Sequence, residues 1–524
     1  MHGQFGKVTA SSRATADADA FIARSVIRVR RCTAQDMNLA LRLDPARLRW
    51  WHVQLAERLA RRDGVRLAVE FVDGGTPLPG SLELLFSLER LIYGIAVDDI
   101  TLPAEPDALA RFRYADGSPD CVIDFTNATG RAAVPTLQIL FDGIADEAAA
   151  VAALLDGRTP FVTIIDAATG ATIIHGHPGT ERADVLSLAW RDVLARTSSS
   201  INAALDGASA RHAEGDSHHS TIKTSSIAHF GLRSLARAAV RAIYRLCYNA
   251  PHWRVGWRFV DDADVIDLRA HPATGWHDLS DDGRRFYADP FPIAHNGRTF
   301  VLVEDFAHAL GYGVISAVEF DAGRPLGAPR PVLDTGSHLS YPFVFAHGGA
   351  TWMVPESGAA RTIDLYRAMD FPDRWVKETT LVSGIIASDA TLLEINGVWW
   401  MLATVQDGGG AYSDALHIWS ASTLLGPWVP HKRNPVMIDI ASARPAGRVV
   451  SRNGKLIRPV QDCRRGYGAA LALAEITRLD AEGYEQRVDT ILRPGPLWPG
   501  RRLHTLNRAG ALECIDGSAS ARRF

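Results

Sequence analysis

A hairpin that repeats constrains this chain more than anything else in it. Residues 287–305, YADPFPIAHNGRTFVLVED, set a short apolar run against a second one across a glycine-bearing turn. The pattern returns at 341–357 (YPFVFAHGGATWMVPES), 389–405 (DATLLEINGVWWMLATV) and 444–462 (RPAGRVVSRNGKLIRPVQD), and in degenerate form at 504–517 (HTLNRAGALECIDG). Gly297, Gly348 or Gly349, Gly397, Gly454 and Gly510 mark the turns. A hairpin recurring every ~50–60 residues cannot bury its apolar faces alone and must stack on its neighbours, as the blades of a propeller or the units of an array. Four-stranded blades take roughly 40–50 residues. Five copies between about residue 261 and residue 524 therefore predict a five-bladed β-propeller.

The first half follows another rhythm. MNLALRL (37–43) reads as a strand, residues 47–62 as a helix with Leu48, Trp51, Leu55 and Leu59 on one face, and RLAVEFV (66–72) as a second strand. Strand, helix, strand is the opening of a parallel α/β sheet. Residues 82–93 supply another amphipathic helix, CVIDF (121–125), LQILF (137–141), PFVTIID (160–166) and ATIIHGH (171–177) further strands, and residues 182–205 a long helix. At 524 residues the chain is too long for one core. The division expected is a disordered tail or overextended start (1–36), an α/β domain (37–205), a linker with a basic helix (206–252) and the propeller (253–524).

Formal charge is −3, so nothing global attracts nucleic acid or an anionic membrane. Five cysteines without CxxC or zinc spacing favour reduced thiols and a cytoplasmic protein. No apolar run approaches the roughly 18 residues of a membrane span, and no secretion signal is visible. Residues 227–248 form a basic amphipathic helix, with Arg233, Arg237, Arg241 and Arg245 opposite Leu232, Leu235, Ala239, Ile243 and Leu246. Such a helix makes a peripheral membrane contact or packs its stripe between domains; the second is the expectation. Neither GxxxxGK nor GxGxxG occurs, so nucleotide binding has no support and no cofactor is expected. His175, His177, His218 and His219 read as polar loop residues rather than metal ligands, and Trp352, Trp399 and Trp400 as blade core.

DPFPI at Asp289, LSYPFVF at Leu339, WMVPES at Trp352, SDATLLEINGVWWML at Ser388, LIRPVQD at Leu456 and HTLN at His504 carry a family resemblance. Residues from about 255 to 524 resemble the propeller found at the N-terminal end of plant glucosamine inositolphosphorylceramide transferases and in bacterial proteins. They are similar, more distantly, to the five-bladed propellers of glycoside hydrolase family 43. In the plant proteins sugar transfer belongs to a separate glycosyltransferase domain, so the resemblance does not imply that activity here. The first half more weakly resembles the α/β sheet of formyltransferases, whose Asn-x-His signature is missing.

The resemblance to family 43 implies carboxylates at the starts of innermost strands, facing one funnel. Aligned repeats put Asp289, Tyr341, Asp389, Arg444 and His504 at equivalent positions. The family layout makes Asp289 a base and Asp389 its helper, while Arg444 replaces the family's acid. A guanidinium cannot donate its proton at neutral pH. Glu304 or Glu356, closing second strands, would supply the acid if desolvation raised its pKa; otherwise these glutamates and Asp516 cap strands. Tyr341 would stack on a sugar, Arg444 and Arg458 would meet an anionic group, and Gln461 and His504 complete the binding set. An arginine beside two aspartates is expected to hold both ionised. The function expected is action on, or recognition of, a glycan or glycolipid headgroup, with a non-catalytic binding or scaffold propeller as the alternative.

Overall fold

The structure is a computed structural model that describes residues 37–95, 99–113, 117–126, 134–207, 210–211, 221–321 and 323–523. The tail expected over residues 1–36, with Cys32, and the pair His218 and His219 lie outside the described residues. Two compact units emerge: described residues up to 176 with 197–227, and residues 177–196 with 228 onward.

The first unit is built on a sheet of strand order β2-β1-β3-β4-β5-β6-β7. These are β1 (Met37–Leu43), β2 (Val65–Phe71), β3 (Cys121–Asp124), β4 (Thr136–Phe141), β5 (Val162–Asp166), β6 (Thr172–Gly176) and β7 (Ala210–Arg211). Helix Trp50–Ala60 buries Trp51, Val53, Leu55 and Leu59, the stripe that its sequence displays at helical spacing. Strands β1 to β4 run parallel, but β5 pairs antiparallel with β4 and β6 antiparallel with β5. The sheet is therefore mixed, which corrects the wholly parallel reading. The short turn between Asp166 and Thr172, closed by Gly170 N–H on the Asp166 carbonyl at 2.7 Å, leaves no room for a parallel crossover. Such a crossover needs a dozen residues or more.

The second unit contains a five-bladed β-propeller. The first blade begins with Arg285–His295 and Arg298–Ala307, the second with Ser340–His347 and Ala350–Glu356, the third with Ala387–Ile395 and Val398–Val405. The fourth contains Val450–Arg452, Lys455–Asp462, Ala470–Asp480 and Gly483–Leu492. The fifth joins the two ends of the unit: the C-terminal hairpin Leu506–Ala509 and Leu512–Ser518 takes Trp253–Phe259 as its third strand, with Trp253 opposite Ser518 and Phe259 opposite Leu512. Closure of this kind ties the first and last strands of the ring into one blade and leaves only short, protected edges. Phe291, Tyr341, Phe343, Met353, Trp399 and Met401 pack blade against blade.

One irregularity recurs and matters for the site. The first strands of three blades slip register between Ala288 and Phe291, Ser340 and Phe343, and Ser388 and Thr391. At those bulges Asp289, Tyr341 and Asp389 take positive φ values of 48°, 45° and 56°. Non-glycine residues avoid this region, and bulges that impose it re-aim side chains.

The segment 177–196 is anchored within the second unit by Arg196, which is wholly buried and pairs with the equally buried Asp414 at 2.7 Å. Its guanidinium also donates to the carbonyls of Val405 (3.1 Å) and Asp407 (3.2 Å), and Gly179 N–H reaches the other Asp414 oxygen at 2.7 Å. Helix Thr224–Cys247 departs from expectation. Its Phe230 and Ser234 are buried, whereas Leu232, Leu235, Ile243 and Leu246 are exposed. Cys121, Cys247, Cys463 and Cys514 are free thiols.

Candidate functional site

Hydrogen bonds run from blade to blade through the starts of the innermost strands. Asp289 accepts the Tyr341 N–H at 3.2 Å through Oδ2 and the Thr505 hydroxyl at 2.9 Å through Oδ1. Its own N–H donates to Asp516 Oδ2 at 2.7 Å. His504 donates from Nδ1 to Asp516 Oδ1 at 2.5 Å, places Nε2 at 3.6 Å from Asp289 Oδ1, and stacks on Trp253 with ring centres 4.2 Å apart.

The other half of the ring centres on Asp389. Its Oδ2 accepts Arg444 Nε at 2.6 Å and Gln461 Nε2 at 2.9 Å, and its N–H donates to Glu356 Oε2 at 3.1 Å. Arg444 Nη2 also lies 3.7 Å from Glu356, Nη1 donates to the Ser413 hydroxyl at 3.2 Å, and the guanidinium carbon sits 4.7 Å from the Tyr467 ring centre. Thus Glu356 and Asp516 do the same job: each closes a second strand and caps the N–H at the bulge of the next blade.

Burial, not Arg444, sets the protonation of the aspartates. Desolvation pushes Asp389 up to about 7, against the lowering effect of Arg444 and with the help of Glu356. Asp289 is pushed up to about 6, chiefly by burial, with His504 opposing and Asp516 and Asp389 reinforcing. The expectation that the guanidinium would hold both fully ionised is corrected accordingly: a charge in a dry site costs more than one partner returns. Burial would lower His504, but Asp516, Asp289 and Asp389 together raise it above its ordinary value. Glu304 is raised well above the carboxylate range, first by burial and then by the negative field of Asp289, Glu356, Asp516 and Asp389. Its carboxyl lies 3.9 Å from Nε2 of His338, an imidazole whose own pKa burial lowers.

The remaining predicted residues fall elsewhere. Tyr341 is wholly buried, edge-on to Phe291 at 4.7 Å, and its hydroxyl accepts the Gly447 N–H at 2.7 Å while meeting Thr391 Oγ1 at 2.9 Å. It has no free face for a sugar. Arg458 is spent on the carbonyls of Ser442 and Ala443 and on Gln486, so it is not an open anion site. Sequence reasoning gave Asp516 a capping role alone, although the repeat places it level with Glu304 and Glu356. Tyr467, Thr505 and Ser413 carry no such signal.

Among the described residues, Asp289, His504 and Asp516 form the one group able to offer a metal three ligand atoms, all within 4.8 Å. A metal there would have to displace the imidazole proton that now binds Asp516. In the first unit a cavity of about 210 Å³ opens where β1 and β3 end, between Asp44, Asp73, Phe125 and Glu147. That position is the topological switch point of the sheet.

Comparison with known proteins adds sequence relatives for the propeller. Residues 270–512 match the family described as glucosamine inositolphosphorylceramide transferase 1, N-terminal. The chain is 33% identical over 231 residues to the glucosamine inositolphosphorylceramide transferase 1 of Oryza sativa subsp. japonica, covering 42% of this chain and 31% of that protein. It is 35% identical over 208 residues to the Arabidopsis thaliana protein of the same name, covering 38% and 27%. The chain thus spans about a third of the relatives it matches. Among solved structures, a thermostable family-43 glycoside hydrolase aligns with a TM-score of 0.30 at 13% identity, over 41% of this chain and 78% of that one. A glycoside hydrolase-like protein from Bacteroides ovatus ATCC 8483 aligns with a TM-score of 0.35 at 12% identity, over 47% and 92%.

Proposed function

We propose that the funnel of the propeller takes a glycan, free or as the headgroup of a glycolipid, and cleaves a glycosidic bond in it with inversion. Asp289 is the base and Glu304 the proton donor. The observation that carries this reading is the contrast between the two carboxyls. Burial and the negative field of its neighbours raise Glu304 well above its ordinary value, a direction that suits a proton donor, while Asp289, near 6, is mostly ionised at neutral pH. Two carboxyls whose environments push their pKa values apart are what acid–base cleavage needs. Asp289 takes a proton from a water that attacks the anomeric carbon; Glu304 gives its proton to the departing glycosidic oxygen, and the bond breaks heterolytically toward that oxygen. Inversion requires the two groups to stand roughly 6.5–9.5 Å apart. Asp389, tied to Arg444 and Gln461, holds the field around them. The relatives' names point to a glycolipid with a glucosamine-bearing headgroup, in keeping with a sugar in the funnel.

A second reading, binding without turnover, is favoured by one specific feature: both oxygens of Asp289 already accept hydrogen bonds from the protein. A screen of glycans and glycolipid headgroups decides between them. The hydrolase reading expects turnover by the wild type and none by Asp289→Asn or Glu304→Gln, with binding kept in both variants. Saturable binding without turnover supports the second reading. No binding at all defeats both.

A further inference from the structure

Helix Thr224–Cys247 contains four arginines, Arg233, Arg237, Arg241 and Arg245, and no acidic residue. With 3.6 residues per turn, Leu232, Leu235, Ala239, Ile243 and Leu246 fall on one face and the arginines on the other. The protein grips the helix from the arginine side. Ser234 Oγ donates to the Asp184 carbonyl at 2.6 Å, Arg241 pairs with the Asp184 carboxylate at 3.0 Å, and the Tyr244 hydroxyl lies 3.1 Å from Ser520 Oγ. The apolar face is left in solvent: Leu232 is 69% exposed, Leu235 48%, Ile243 63% and Leu246 66%.

An uninterrupted apolar stripe of this length marks a docking surface rather than scattered surface residues. The charge says what docks. Four cations without a single acid, all four on exposed residues, complement an anionic surface and repel a basic one. Long arginine side chains beside such a stripe reach up to lipid phosphates while the leucines enter the acyl boundary. None of the described helices is long and apolar enough to cross a membrane, so the helix lies along the surface.

We infer that helix Thr224–Cys247 docks the chain on an anionic lipid surface, its Leu232–Leu235–Ile243–Leu246 face buried at the headgroup boundary. The inference stands apart from the funnel chemistry and does not depend on it.

Flotation of the full chain with vesicles tests it. The wild type is expected to float with phosphatidylcholine vesicles containing phosphatidylglycerol, to stay down with phosphatidylcholine alone, and to be released by salt. Arg233→Gln with Arg237→Gln should lower partitioning about 25-fold, about five-fold per arginine. Ile243→Asn with Leu246→Asn should abolish it, and since all four side chains are exposed, the far-UV circular dichroism of both variants should match the wild type. Failure of the wild type to float with anionic vesicles overturns the inference. So does equal flotation of the variants, or a lipid-free dimer that Ile243→Asn with Leu246→Asn dissolves, which would make a second copy the cover of this face.

Discussion

Arg444 binds Asp389 at 2.6 Å, both buried, and stands 3.7 Å from the partly exposed Glu356. Removing the cation, as in Arg444→Met, leaves the buried Asp389 without its partner and beside the partly exposed Glu356. A loss of about 3–5 kcal/mol is expected in chemical denaturation, and Asp389→Asn in the same chain should restore part of it. Glu304→Gln is the opposite case, because the amide copies the size of a carboxyl whose neutral form burial already favours. Stability should change by less than about 1 kcal/mol while turnover falls by about 10²–10⁴. The ring also fixes a pH dependence. Asp289 (about 6) and Asp389 (about 7) hold protons in the folded state that they lose near pH 4 when unfolded. Stability therefore falls as pH rises from about 4 to about 7. His504, raised as well, adds stability that is complete below its unfolded value and is lost as pH climbs through the folded one. The urea midpoint should accordingly be lower at about pH 8 than at about pH 5. A midpoint that rises over this range contradicts the assignment.

At the scale of elements, the bulges and their caps hold the site. Gly447 shows how closely blades approach: a Cβ there would lie 2.0 Å from the Leu506 carbonyl oxygen. Gly447→Ala should cost at least roughly 1–3 kcal/mol through overpacking, read as a shift in thermal midpoint. The hairpin period exposed the ring positions because blades are copies of one unit, and residues at one point of a copied unit share one place in the fold. The same alignment reached Asp516, but its partnership with His504 depended on how the last hairpin turns. Arg444 meets Asp389 from 55 residues away and Arg196 meets Asp414 from 218, and no local pattern records such pairings. The mixed sheet was legible in the brief turn before Thr172. Helix Thr224–Cys247 displayed its stripe plainly, yet periodicity names the faces of a helix without saying which one the protein will hold.

For the molecule as a whole, ring closure is the decisive event. Trp253–Phe259 has its place only when Leu512–Ser518 arrives beside it, and Asp289 has its cap only from Asp516. A chain ending at residue 503 should lose cooperative unfolding of the propeller; a sharp single transition in that chain would show that four blades suffice. The central claim is that the closed ring presents Glu304 as a protonated acid to a glycan. The most direct measurement is a pH titration of the Glu304 carboxyl by carbon-13 NMR, with and without a glycan that binds. A carboxyl still protonated at neutral pH, with a resonance that moves on binding, is the expected result. A group that titrates near the ordinary value of about 4.3 and ignores every glycan would contradict it.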